Sequence, residues 1–293
     1  MDVANWLQLM VSGITVGAIY SLIALGYVTI YRTSRVVNFA QGSFVMLGAL
    51  VAYSFLDQLG LPHVLAAVVA IAVVAAVGVG MYWLVVAPIL RISLVAMIMA
   101  TIGVAMVLEN VSLLKWGGYA VSLPPFTGAK PIRVGGVAIL PQSLWVLLVT
   151  VLVLLALYFL NNHTRTGKQM TATAIDPVAA ELSGISTSRM VVLAFALSAA
   201  IGALSGIAIA PVTPIAFSSG AVLGLKGFVA AILGGWGKTT GAVVGGFVLG
   251  IAESLAIGFL PAGYKDAIAF LVLILILYFR PSGILGSSLA EAQ

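Results

Sequence analysis

Three ionisable residues, Glu109, Lys226 and Glu253, sit inside long hydrophobic runs, where a charge is least easily accommodated. At mid-bilayer each costs roughly 2.5–3.5 kcal/mol on insertion scales, so such a group must pair, reach for water or line a polar path. Glu253 shares a helical face with Gly250, Gly246 and Ala242, a small-residue face that suits a neighbouring helix, so its carboxylate is expected between helices. Lys226 is the only base in its block and a fitting partner for an acid. Glu109 lies near the end of its run, from where its side chain can snorkel outward. Polar path and structural ion pair both remain open for Lys226 and Glu253. A further candidate is Asn38-Phe39-Ala40-Gln41-Gly42, where Asn38 as N-cap and Gln41 behind it resemble a capping box. Asn38, Gln41 or Gly42, Val45, Ala49 and Ala52 form a polar-to-small stripe on the helix that follows. If that helix begins inside the membrane, its free N–H groups can hold a carboxylate. If it begins at the surface, the same residues are an ordinary cap.

Other chemistry is scarce. There is no cysteine, which excludes disulfides and thiolate sites. His63 and His163 lie far apart, so no metal or cofactor site is expected in this chain. Gly237-Lys238-Thr239 is reminiscent of a phosphate-binding loop, but Ile232 stands where the pattern needs its first glycine, and an apolar block precedes it. That segment reads as a turn between two membrane segments. No Ser/His/Asp set or paired carboxylates are visible, so the chain is expected not to be an enzyme.

The elements that must position these residues follow from composition. Of 293 residues, 62% are hydrophobic and 7% charged, too few charges to coat a soluble protein of this size. The exterior must face lipid, and the fold class is an all-α, polytopic transmembrane helical bundle. Qualifying blocks are Trp6–Tyr31, Val36–Phe55, Val64–Val86, Leu94–Leu114, Ser143–Leu160, Met190–Ala210, Thr240–Leu260 and Ala267–Phe279. The shorter Ala221–Trp236 carries Lys226, which gives eight to nine spans. Trp6–Tyr31 is too long for a signal-peptide core and reads as a retained first helix. Arg32, Arg35, Arg91, Arg165, Lys168, Arg189, Lys238 and Arg280 fall on alternate loops, against Lys115, Lys130, Arg133 and Lys265 on the others. With the larger set in the cytoplasm and nine spans, the N-terminus is outside and the C-terminus inside.

Glycines four apart (Gly13/Gly17, Gly202/Gly206, Gly220/Gly224, Gly237/Gly241, Gly241/Gly245, Gly246/Gly250) predict close helix contacts, densest in the last third. Residues 1–293 form one membrane domain with two polar stretches. The stretch 117–141 is rich in Gly and Pro and reads as an ordered external loop. The stretch 161–189 is a cytoplasmic loop holding one short amphipathic helix, Pro177–Ser183, with Asp176 as N-cap and Gly184 ending it.

Gly17-Ala18-Ile19-Tyr20-Ser21-Leu22-Ile23-Ala24-Leu25-Gly26, followed by Val36-Val37-Asn38-Phe39-Ala40-Gln41-Gly42, resembles the opening of permease subunits of branched-chain amino acid ABC importers. Residues 174–185, 224–235, 263–270 and 279–286 continue the resemblance in order, closest to the LivH type. Gln41 stands where members usually carry His, and Gly227 where they carry Ala. The resemblance implies half of a translocation path in the bacterial inner membrane. Implied partners are a second permease, two cytoplasmic ATPases that hold the ATP and Mg, and an extracytoplasmic binding protein. Nucleic acid is not implied. In such a protein Asp176, Pro177, Ala179, Ala180, Glu181, Leu182, Gly184 and Ile185 would form the segment coupled to an ATPase. The apolar side of that segment, Ala179, Ala180, Leu182 and Ile185, would sit in the ATPase groove. Asn38, Gln41, Gly42, Glu109, Lys226 and Glu253 would be candidates for the path. Related permeases that carry urea or amides, and a self-sufficient ion-coupled transporter using Glu109 or Glu253, are the alternatives.

Overall fold

The computed structural model describes residues 3–89, 93–134, 136–259, 261 and 264–286. Arg91 and Gly263, and the side chains of Lys265 and Asp266, lie outside the described set. The apolar runs become helices because an isolated backbone in lipid must satisfy its own hydrogen bonds. In chain order they are α1 (Val3–Ser34), α2 (Gln41–Tyr53), α3 (His63–Met81), α4 (Ala87–Ile89), α5 (Leu94–Trp116), α6 (Pro141–His163), α7 (Arg165–Ile175), α8 (Pro177–Leu182), α9 (Thr187–Ile209), α10 (Ser219–Gly234), α11 (Thr239–Ile257) and α12 (Lys265–Phe279). α2 runs on through a π-helical turn at Ser54–Gln58, and a second such turn at Tyr82–Val86 joins α3 to α4.

Among the described residues six helices are long and apolar enough to cross a bilayer by themselves: α1, α3 with α4, α5, α6, α9 and α11. α10 and Ala267–Phe279 are shorter. The expected eight to nine spans therefore depend on α2, α10 and α12, whose length alone does not carry them across.

α1 forms the axis, packed along α9, α10 and α11. Small residues make this possible. A Cβ on Gly17 would sit 2.7 Å from the Phe247 Cα, and one on Gly13 2.8 Å from the Ile251 Cα. Across the seam Gly246 and Gly250 lie against Ser21 and Gly17. α2 lies on α9 through Gly48, Gly202 and Gly206, and α10 lies on α11 through Gly234, Gly241 and Gly245. Of the expected glycine pairs, Gly237/Gly241 is not a helix face, because Gly237 sits in the α10–α11 turn at φ 85°. The Gly237-Lys238-Thr239 segment is thus a turn leading into α11.

Segment 161–189 contains two helices rather than one. α7 starts where the Thr164 hydroxyl accepts from the Gly167 N–H. Its buried side is Gly167, Met170 and Thr173, and two of those three are not hydrophobic, which hides the helix from apolar periodicity. Among its described residues segment 117–141 has no helix before α6, but it carries a small antiparallel hairpin, β1 (Ile132–Val134) paired with β2 (Val137–Ile139) in the register Ile132↔Ile139. Gln8 bonds the Ala138 backbone in both directions and ties the hairpin to the start of α1.

Candidate functional site

Two polar clusters lie within the bundle, on different faces of α10. The first joins α10, α11 and α1. The Lys226 ammonium is 3.0 Å from Oε1 of Glu253, and the Tyr20 hydroxyl donates to Oε2 at 2.7 Å. Lys226 also lies 5.5 Å from the Tyr20 ring centroid. Glu253 is fully buried, as its small-residue helix face predicts. The expected acid partner of Lys226 is therefore Glu253. Tyr20 was missed, since a tyrosine in a long apolar helix reads as packing.

The second cluster surrounds the start of α2. Residues 36–38 are not helical and run inside the bundle, with Asn38, Ala40 and Gln41 all buried. The helix therefore begins among other helices and not at the surface. No capping box forms. Ala40 occupies the N-cap position without a side-chain bond, and the Asn38 Oδ1 accepts from the Ala40 N–H in a local turn. Gln41 reaches sideways: its Nε2 donates to the Ser198 carbonyl at 3.2 Å, and the Ser198 hydroxyl donates to its Oε1 at 2.6 Å and to the Gly26 carbonyl at 2.8 Å. The amide thus binds α2 to α9 and α1, a demand stronger than the local cap.

Gly42 meets α10 at Gly220 and Gly224, with no room for a Cβ on Gly42 and a tight fit, 3.1–3.2 Å to the nearest atom, for one on Gly224 or Gly220. Glu109 is half-buried: its Oε1 is buried, lies 3.2 Å from a Cβ position on Gly220, and has no hydrogen-bond partner among the described residues. The Asn38 Nδ2 and the Ser43 hydroxyl are likewise buried without a partner among the described residues. Three unsatisfied polar atoms, a donor, a hydroxyl and a carboxylate oxygen, thus belong to residues at or near the uncapped start of α2. Each buried polar group in this condition costs free energy until something bonds it.

At the end of the bundle carrying Arg32, Arg35, Arg189 and Lys238, α8 forms one exposed turn and a half. Its N-cap is Asp176, whose Oδ1 accepts from the Val178 and Ala179 N–H groups at 2.9 and 3.0 Å. Gly184 ends it at φ 81°. The apolar side expected to meet a partner is divided. Ala180 is buried and Ile185 packs beside Met170, Met190 and Ala194, so both face the chain's own core. Leu182 points outward at 86% exposure, with Val178 at 68% and Ile175 at 74%. Val178 was missed because helical phase alone did not say which side of so short a helix the bundle would cover, and Ile175 because it ends α7, a helix that apolar periodicity did not show. Glu181 accepts a bond from the Thr187 hydroxyl and secures the turn into α9.

These features define a polytopic helical membrane protein with a helix that starts inside the bundle and an exposed helical knob at one end. Comparison with known proteins goes further. The family model described as branched-chain amino acid transport system / permease component matches residues 9–277. The LivH high-affinity branched-chain amino acid permease of Escherichia coli K12 is 34% identical over 96% of each chain. BraD of Pseudomonas aeruginosa is 32% identical over 97% of each, and a probable LivH of Methanocaldococcus jannaschii 28% identical over 90% of this chain and 88% of that one. Among solved structures, PsaBC from Streptococcus pneumoniae in complex with Fab matches at TM-score 0.50 and 14% identity, over 94% of this chain and 92% of that one, a likeness of fold. The chain belongs to the branched-chain amino acid transport permease family, and is a multi-pass inner-membrane protein.

Proposed function

We propose that this chain is the membrane permease subunit of an ATP-driven importer for branched-chain or related amino acids. It supplies half of the path, beside a second permease. ATP and Mg are held by two cytoplasmic ATPase chains, and an extracytoplasmic protein delivers the solute. The observation that carries this reading is the α8 knob. Exposed Ile175, Val178 and Leu182 form an apolar surface next to charged residues, which is what a protein partner covers. ATPase closure would push this short capped helix, and a rigid-body shift of the bundle would follow. Asp176, Pro177, Ala179, Glu181 and Gly184 shape the knob, while Ala180 and Ile185 anchor it.

Asn38, Gly42 and Glu109 are proposed to line the path. Gln41 is proposed to position the α2 start, and Lys226 with Glu253 to hold α10 against α11. The chain itself performs no chemistry in this reading. The test is reconstitution in liposomes. The chain alone should accumulate no leucine under a proton or sodium gradient. Addition of partner permease, ATPases, binding protein and ATP should start uptake that isoleucine competes and urea does not. Gradient-driven accumulation by the chain alone would favour an ion-coupled transporter and overturn the proposal.

A further inference from the structure

A cavity of about 460 Å³ opens among α1, α6, α7 and the start of α11. Arg32, Arg35 and Lys238 line it, and among the described residues no acidic one does. Among the described residues no carboxylate pairs with any of the three. Arg32 donates to the Thr239 hydroxyl at 3.1 Å, which turns its guanidinium toward the first residue of α11. Arg35 is held by a 3.4 Å bond to the Ala174 carbonyl and lies 5.6 Å from the Tyr31 ring centroid. Thr171 and Thr240 add hydroxyls to the wall. α11 begins at Thr239 with Lys238 at its N-cap and no side-chain cap, so its first N–H groups have no intrahelical acceptor. Three cations around one cavity with no acid in its lining favour an anion seated among them, although Arg35 also borders a second cavity that Glu181 lines.

The other wall identifies the source of the anion. Leu154 and Tyr158 of α6 close the cavity, and the same helix continues outward with Leu148, Leu152, Leu155 and Phe159 exposed in an apolar face. In a membrane-spanning helix such a face is open to acyl chains wherever no partner helix covers it. A polar, cationic recess joined to a lipid-facing wall suits a molecule with a phosphate head and hydrocarbon tails. Basic recesses between membrane helices are a recognised form of lipid-headgroup site.

We propose that this cavity binds the phosphate of an anionic phospholipid, with Arg32, Arg35 and Lys238 around the headgroup and the acyl chains along α6. The Gly237-Lys238-Thr239 segment then contributes to a lipid site instead of a nucleotide site. The proposal rests on the membrane setting of the chain and is independent of the transported solute.

The test uses the full chain purified in detergent with equal parts phosphatidylglycerol and phosphatidylcholine, and native mass spectrometry to count the lipids retained. Wild type should retain phosphatidylglycerol preferentially. Arg35→Gln with Lys238→Gln removes two charges and should weaken that preference about 30-fold, at the usual contribution of a basic side chain beside an anionic lipid. The milder Lys238→Gln removes a side chain with no hydrogen bond or ion pair among the described residues, and should weaken it about fivefold. It serves if the double variant does not fold. Equal retention of both lipids by wild type, or unchanged preference in Lys238→Gln, would overturn the proposal. Loss of phosphatidylglycerol on adding millimolar inorganic phosphate would assign the site to a free anion and refute the lipid source. Neither readout involves uptake, so failure here leaves the transport reading untouched, and the reverse.

Discussion

The buried Lys226–Glu253 pair permits a sharp test, because breaking it and replacing it have opposite expected outcomes. The ammonium lies 3.0 and 3.3 Å from the two carboxylate oxygens, and the exposure of the two side chains is 10% and 0%. At an effective dielectric of about 20 such a contact is worth roughly 5 kcal/mol of attraction. Desolvating two ions costs several kcal/mol each, so the net contribution of the intact pair is close to nil. Glu253→Leu alone leaves an uncompensated buried ammonium, and Lys226→Met alone an uncompensated carboxylate. Each single change should destabilise by about 3–5 kcal/mol. Lys226→Met with Glu253→Leu removes both charges, keeps similar volume, and should recover most of that loss. The Tyr20 hydroxyl then lacks its acceptor at 2.7 Å, a residual cost of about 1–3 kcal/mol that Tyr20→Phe should relieve. Thermal unfolding in detergent reads the series, with single variants melting roughly 6–20 °C lower. A double variant no more stable than the worse single would refute the argument. The same double variant separates two roles: a folded, charge-free protein that still transports has a structural pair, and one that does not has lost part of its path.

Other expectations concern contacts and the knob. Gly42→Ala would drive a Cβ into the Gly220 carbonyl and to 2.7 Å from the Gly224 Cα, and should cost about 1–3 kcal/mol in thermal unfolding. Gly103→Ala meets nothing within 4 Å in the interior of α5 and should stabilise by roughly 0.5–1 kcal/mol in the same assay. Leu182→Asp with Gly184→Pro puts a charge on the exposed apolar surface and a fixed negative φ where the backbone has φ 81°. Copurification should show ATPase association lost with membrane insertion normal, and unchanged uptake would mean another segment couples. Glu109→Gln keeps the side-chain volume, so expression should hold while apparent affinity or rate of uptake changes; a variant altered in expression alone would place Glu109 outside the path.

Much of the bundle was legible because the bilayer fixes the length of an apolar run: Leu94–Leu114 in the sequence is Leu94–Trp116 in space. Legibility failed where the deciding information is long-range. The run Val36–Phe55 looks uniform, yet its first residues are non-helical and only from Gln41 is it a helix, because Gln41 bonds Ser198, 157 positions away. Glu253 was readable from its own helix face, whereas the depth of Glu109 depended on α10, whose first turn it approaches. The hairpin strands, three residues each, are too short to show alternation. The cation cavity was invisible for a related reason: Arg32 and Arg35 at the end of α1 meet Lys238, the residue before α11, only when α1 and α11 pack together.

The position of α10 between the two polar clusters sets a constraint on motion. Its C-terminal end is fastened, since the Ile284 and Leu285 N–H groups donate to the Leu233 and Gly234 carbonyls. Lys226 fastens its middle to Glu253. Its first turn is held against α2 mainly by the close approach of Gly220 to Gly42 and Ser43, where the unsatisfied atoms lie. Gly220 and Lys226 are six residues apart, about 9 Å along the axis, so a tilt about Lys226 opens that contact while the rest stays packed. A cross-link there should therefore arrest transport. A Cβ on Gly220 would lie 3.2 Å from the Ser43 Cα, so the two backbones are near neighbours, and Ser43→Cys with Gly220→Cys is the pair to oxidise, with loss of free thiol read first to show that the cross-link has formed. The chain has no other cysteine, so oxidation reports on this pair alone. Uptake in the reconstituted importer should stop on oxidation and return on reduction. If the cross-linked protein transports at the reduced rate, the α2–α10 contact does not open during the cycle, and Asn38, Gly42 and Glu109 are not where the solute passes.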